Sequence, residues 1–234
     1  MKNLLSARLS IAAAIAYQLL LVVLIFLRPD LPVYSTTISE WAIGHYGWLM
    51  QVAFWISASS YLFLYATLKT EVKGRPGKIG LALLFICFLG TFGVGVFTTN
   101  PYPPDLRIPK TLIHTCCGTL AMILYPVAIL LIALDISRRN EAWAGYRSIL
   151  KAIGFLPLLA FAGFIIHLNL YVIPLGKGAV GPDVPVGYPP RVMFLAYHLT
   201  LIAMATLFLK KQTKHEIKWQ PQKSLLKKAN KSFS

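Results

Sequence analysis

The sequence predicts an all-α, polytopic membrane bundle of about six transmembrane helices, with both termini cytoplasmic. Three observations predict it. Apolar residues make up 56% of the 234 and charged residues only 13%, against roughly 25% charge in a soluble domain. The apolar residues fall in six long runs instead of stripes of period 3.6. Lysine and arginine avoid those runs and gather in alternate connections, the asymmetry that orients a membrane chain.

The first run, Ser10–Leu27, follows Lys2 and Arg8 and contains Ala14-Ile15-Ala16, which mimics a signal-peptide cleavage site. The run continues to Leu27 and ends at Arg28-Pro29-Asp30 without a small-x-small site, so a retained helix is expected. The second run, Tyr46–Leu68, is preceded by Tyr34-Ser35-Thr36-Thr37-Ile38-Ser39-Glu40-Trp41. Ser35 or Ser39 suits a helix cap there, and Trp41, Tyr46 and Trp48 suit an interfacial belt. The third run, Ile79–Phe97, carries Gly90, Thr91, Gly93 and Gly95; Ser57–Ser60 form a similar small-residue patch on the second. Both patches are expected to pack helices closely, not to bind a ligand. Three further runs follow, Leu112–Asp135, Ile153–Leu175 and Val192–Leu209. Each is near the ~20 residues needed to cross the hydrocarbon. The period-two alternation of a membrane barrel is absent.

One side collects eighteen Lys and Arg residues and the other five, Arg28, Arg107, Lys110, Lys177 and Arg191. The richer side is expected to be cytoplasmic. This divides the chain into a six-helix domain, 1–209, and a basic cytoplasmic tail, 210–234, in a bacterial inner membrane. The tail suits topology and anionic membrane lipid. The net charge of +15 lacks the interleaved basic face of a nucleic-acid binder, so no nucleic-acid partner is expected. Cys87, Cys116 and Cys117 form no metal or disulfide motif and read as small apolar residues.

The outer connections hold the chemistry. Pro-Asp clusters at Asp30, Asp105 and Asp183 recur at about one hairpin's spacing, which suggests a threefold repeat. His45, His114, His167 and His198 sit near the outer ends of four different helices. Ionisable groups inside membrane helices tend to face a cavity. Several readings stand open: a site for an amphiphilic ligand; a zinc centre of His114, His167 and His198, with Glu40 or Asp105 as base; a single haem; or a structural cluster. Ser39 near His45 matches no triad spacing. No charged residue lies at the middle of a run, which argues against an ion pump or coupled transporter.

Pro32-Val33-Tyr34-Ser35, Ile38-Ser39-Glu40, the glycine-flanked entry to the second helix (Gly44, Gly47), the Gly90–Gly95 patch, Pro104-Asp105 and His114 together resemble a bacterial membrane family catalogued as domain of unknown function 998. The resemblance covers about Ser10 to Leu209. It implies the six-helix layout and a role for the Ser39, Glu40 and His114 region, and carries no activity. The expectation is an outward-facing polar pocket that draws on Ser39, Glu40, His45, Asp105, His114, His167, Arg191 and His198 and takes a lipid-like or other amphiphilic molecule. A zinc-dependent hydrolase and a non-catalytic, partner-binding subunit are the alternatives.

Overall fold

The computed structural model describes residues 2–175 and 181–231, with side chains for 3–175 and 181–213. Six helices form it: α1 (Lys2–Leu27), α2 (Gly47–Leu68), α3 (Arg75–Val96), α4 (Pro109–Arg139), α5 (Arg147–His167) and α6 (Tyr188–Lys231). Among the described residues, six helical stretches are long and apolar enough to cross a membrane. The protein is a multi-pass membrane bundle.

Most helices outrun their apolar segments. α4 spans 31 residues, about 46 Å at 1.5 Å per residue, and so projects beyond a ~30 Å hydrocarbon core. α6 continues through the expected tail to Lys231, while tail side chains beyond Thr213 lie outside the described residues. The helices pack in chain order, and α6 returns to α1, which closes a ring. Asn3 of α1 and Lys211 of α6 fall on one face of this ring, where they meet Thr70 and Glu71. The connections α1–α2, α3–α4 and α5–α6 fall on the other, called the loop face below.

Lipid tails are as apolar as leucine, so close packing and interhelical hydrogen bonds must hold such a bundle. The α3–α4 seam shows the first. A Cβ added at Gly90 would stand 2.7 Å from the Cys117 carbonyl oxygen, and one at Gly80 equally close to that of Ala128. The small-residue patch on α3 therefore packs helices as expected. The α4–α6 seam shows the second. Pro126 lies inside α4 and has no N–H to give the carbonyl of Met122. The Tyr197 hydroxyl of α6 donates to that oxygen at 2.9 Å. Tyr125 in turn donates to the Tyr197 carbonyl at 2.9 Å, and the two rings stack.

Two buried carboxylates fasten the opposite face. Glu71 receives the Trp143 indole N–H, the Asn140 amide and the Lys211 ammonium. Asp135 accepts the backbone amides of Lys73 and Gly74. The three loop-face connections differ in local structure: the first contains a 3-10 helix, Ile38–Ala42, the second contains none among the described residues, and the third opens on a π turn followed by a three-residue 3-10 turn, Ile173–Leu175.

Replacing Tyr197 with Phe leaves the Met122 carbonyl without a donor. The change should cost about 1 kcal/mol, read as a lower thermal midpoint of the purified protein, with the helical circular-dichroism spectrum retained.

Candidate functional site

The first loop-face connection, residues 28–46, forms a roof at the end of the bundle. Irregular backbone at this depth needs a partner for every amide and carbonyl. Three charged side chains supply many of them. Arg28 pairs with Asp30 at 2.9 Å and donates to the Ile43 carbonyl at 2.7 Å. Its hydrogen bonds hold the Asp30 carboxyl below the ordinary carboxylate range. Arg191 of α6 donates to the Thr36 and Gly187 carbonyls at 2.8 and 2.6 Å, and its guanidinium lies 4.2 Å over the Trp41 ring. Glu40 accepts the Thr37 amide and hydroxyl at 2.7 and 2.8 Å, and the amide of Tyr102, in the second connection, at 3.0 Å. Thr37 and Glu40 thus form a capping box on the 3-10 helix.

This corrects the expected cap. Thr37 takes that place, and the Ser39 hydroxyl is used elsewhere. Ser39 Oγ lies 2.9 Å from His114 Nε2, while His114 Nδ1 lies 2.6 Å from the Phe97 carbonyl oxygen. A carbonyl only accepts, so Nδ1 carries the proton of the neutral ring. Nε2 is then the acceptor, and Ser39 donates to it.

Beneath the roof lies a cavity of about 360 Å³, within the range of small-molecule sites. Ser39, His114, Thr99 and Asn100 line it near the roof; Tyr17, Ser57, Thr91 and Met122 line it deeper in the ring. All six helices contribute. On one side its wall is thin. α5 buries only Leu150, Gly154 and Pro157, all toward the end away from the roof. There it closes on α4, since a Cβ at Gly154 would stand 2.9 Å from that of Ala133. Nearer the roof, Phe164 and Leu168 of α5 and the exposed Thr119 of α4 line the cavity. At Leu168 the α5 backbone widens into a π turn, Leu168–Val172, a form that often marks functional sites. A second hollow of about 190 Å³ lies among the connections and shares Tyr102 and Val186 with the first.

The four expected histidines do not share one centre. His114 faces the cavity. His198 is buried: its Nδ1 lies 2.8 Å from the Phe194 carbonyl and 3.2 Å from the Gln18 amide, its Nε2 lies 3.0 Å from Ser57 Oγ, and its ring stacks on Tyr17. His167 ties α5 to the third connection through the Pro185 carbonyl at 3.0 Å and the Tyr188 hydroxyl at 3.3 Å. His45 is exposed against the edge of Tyr46. Among the described residues no three histidine, cysteine or carboxylate side chains stand close enough to hold one metal ion. The zinc set of His114, His167 and His198 is therefore not assembled. Each of these rings already spends both nitrogens on protein groups, which leaves no free pair for a haem either.

The other expected site residues divide similarly. Glu40 and Arg191 build the roof and do not line the cavity. Asp105 pairs with Arg107 at 3.0 Å in the second connection; the Arg107 hydrogen bonds hold its carboxyl below the usual range. Ser57 and Thr91, expected only to pack helices, line the cavity. Thr115, Gly118 and Thr119 line it as well. The signal that marks them is a set of hydroxyls and a glycine on one stretch of an otherwise apolar helix.

The sequence profile of the family described as "Protein of unknown function (DUF998)" matches residues 11–207. The chain is a member of the DUF998 family. No curated protein and no solved structure matches it. The family match spans every cavity-lining segment of this DUF998 protein, from Tyr17 on α1 to Phe194 on α6.

Arg191→Leu removes the donor to the Thr36 and Gly187 carbonyls. It should cost about 1.5–3 kcal/mol and raise amide exchange selectively in residues 33–43, measured by hydrogen–deuterium exchange mass spectrometry.

Proposed function

We propose that this DUF998 protein binds a lipid-like amphiphile in the roofed cavity, with the loop face outward. The observation that carries this reading is the layered lining of the 360 Å³ space. Hydroxyl, amide and imidazole groups stand near the roof, where a head group would lie. Apolar and aromatic side chains, Phe54, Val94, Met122, Phe164 and Phe194, stand around and below them, interrupted by the hydroxyls of Tyr17, Ser57 and Thr91, where an acyl chain would lie. The thin wall between the roof-side halves of α4 and α5 offers such a molecule a route from the bilayer that keeps its chain out of water. The outward direction of the loop face rests on the distribution of lysine and arginine.

Protein extracted in mild detergent should retain about one amphiphile per chain, detected by native mass spectrometry and identified after organic extraction. Thr115→Trp, which fills the cavity from α4, should abolish that retention without unfolding the bundle. Wild-type protein that carries no bound amphiphile, from cells or after exchange with added lipid, would contradict the reading. Direction is checked separately. With the native cysteines replaced by alanine, cysteines at Asp183 and Glu141 should react with an impermeant maleimide from opposite sides of the membrane; labelling of both from one side would reverse or refute the topology.

A further inference from the structure

We infer that Ser39 and His114 form a nucleophile–base pair that cleaves a carboxylic ester of the bound amphiphile; this rests on the amphiphile reading above. Three observations meet at this pair. The Ser39 Oγ to His114 Nε2 distance is 2.9 Å, inside the reach required of a nucleophile and its base. The ring is oriented by a third group, the Phe97 carbonyl, at 2.6 Å from Nδ1. That bond fixes the tautomer in which Nε2 takes a proton. Both side chains line the cavity, so the hydroxyl is presented to a ligand.

The pair follows triad logic, with a backbone carbonyl where a carboxylate often stands. A carbonyl dipole stabilises an imidazolium less than a full negative charge does, which suits a slow hydrolase better than a fast one. The protein also builds the pair at some cost. Ser39 sits on a single-turn 3-10 helix whose cap, Thr37 with Glu40, also anchors the second connection through Tyr102. His114 is only 4% exposed and lies one turn inside α4.

A second serine–histidine pair provides a contrast. Ser57 Oγ also lies against a histidine, 3.0 Å from Nε2 of His198, whose Nδ1 lies between the Phe194 carbonyl and the Gln18 amide. It lies ten residues into α2, about 15 Å along the helix. Its histidine is sealed between Tyr17 and Tyr61. At that depth it meets acyl chain, whereas Ser39 stands at the roof, where an ester linkage next to a head group would lie.

The reaction balances with water as the only co-reactant. Ser39 Oγ attacks the acyl carbon while its proton passes to His114 Nε2. The C–O bond to the alcohol breaks, and the alcohol oxygen takes that proton from His114. A water molecule then gives a proton to Nε2 and its oxygen to the acyl carbon. The carboxylic acid leaves and Ser39 recovers its hydrogen. Water reaches the pair from the smaller hollow, which adjoins the cavity at Tyr102 and Val186. On the same lining, the Thr99 hydroxyl already donates to the Asn100 carbonyl and the Asn100 amide to that of Pro101, so the second Asn100 amide hydrogen is the side-chain donor left for the developing oxyanion.

The test is covalent labelling of the full chain in lipid nanodiscs with an alkyl fluorophosphonate, located by peptide mass spectrometry. The expected result is phosphonylation of Ser39, absent in Ser39→Ala. The rate should fall at least about 100-fold in His114→Ala, the lower range for loss of a general base. Should His114→Ala fail to fold, the wild-type pH profile takes its place. The rate should fall as acid protonates the imidazole, and a flat profile counts against the pair. Protein that melts normally and retains its amphiphile but is never modified at Ser39 overturns the inference, as does equal labelling of Ser39 with and without His114. Labelling of Ser39 in protein that holds no amphiphile supports the pair and overturns the ligand reading instead.

Discussion

The clamp on the first loop-face connection governs everything near the cavity. A stretch of irregular backbone lies across the end of six apolar helices, where water is scarce. Arg28 reaches it from the end of α1 and Arg191 from the start of α6, each donating to its carbonyls. Glu40 gathers amides from this connection and from the next. Arg28 meets Asp30 and Glu40 takes three hydrogen bonds, while Arg191 relies on carbonyls at Nη1 and on the Trp41 ring, its Nε and Nη2 finding no acceptor among the described residues. Without the clamp, Ser39 would have no fixed position over His114, and the cavity would have no roof.

The ring below supports that arrangement from two directions. On the α3–α4 side, glycines let the backbones approach, and this places the Phe97 carbonyl at the end of α3 against His114 near the start of α4. On the α1–α6 side, His198 and its tyrosine neighbours fill the core with satisfied polar groups. α5 is the least buried of the spans, and its buried residues lie away from the roof, where His167 ties its other end to the third connection. The result is a bundle rigid on three sides of the cavity and thin on the fourth. That asymmetry is the physical basis of the proposed amphiphile binding, because a fully packed ring would have no place for a lipid-like molecule.

The six helices were legible because hydrocarbon demands about twenty apolar residues per crossing, and each run meets that demand. Helix ends were less so. Charged and polar residues continue α1, α4 and α6 past the apolar runs, so the fall in hydropathy marks where the apolar run stops and not where the helix does. The importance of Ser39 and His114 was visible as a short motif, but not their pairing. They lie 75 positions apart, and only the fold joins them; the nearer His45 drew attention and points away. Histidines at similar depth on four helices suggested one metal centre, because depth is readable from spacing and rotation about the helix axis is not. The same gap hid Ser57 and Thr91, whose small size fits helix packing as well as a cavity wall. Arg191 was expected to meet a ligand and instead holds the roof that a ligand would lie under.

The account turns on the proton of one imidazole. Heteronuclear NMR of histidine-labelled protein, with the His114 signal assigned by its loss in a His114 variant, reads which ring nitrogen carries that proton. The Phe97–His114–Ser39 geometry predicts a neutral ring protonated on Nδ1, with Nε2 free to accept from Ser39, and a change in the Nε2 shift in Ser39→Ala. A ring protonated on Nε2, or one indifferent to Ser39, would contradict it.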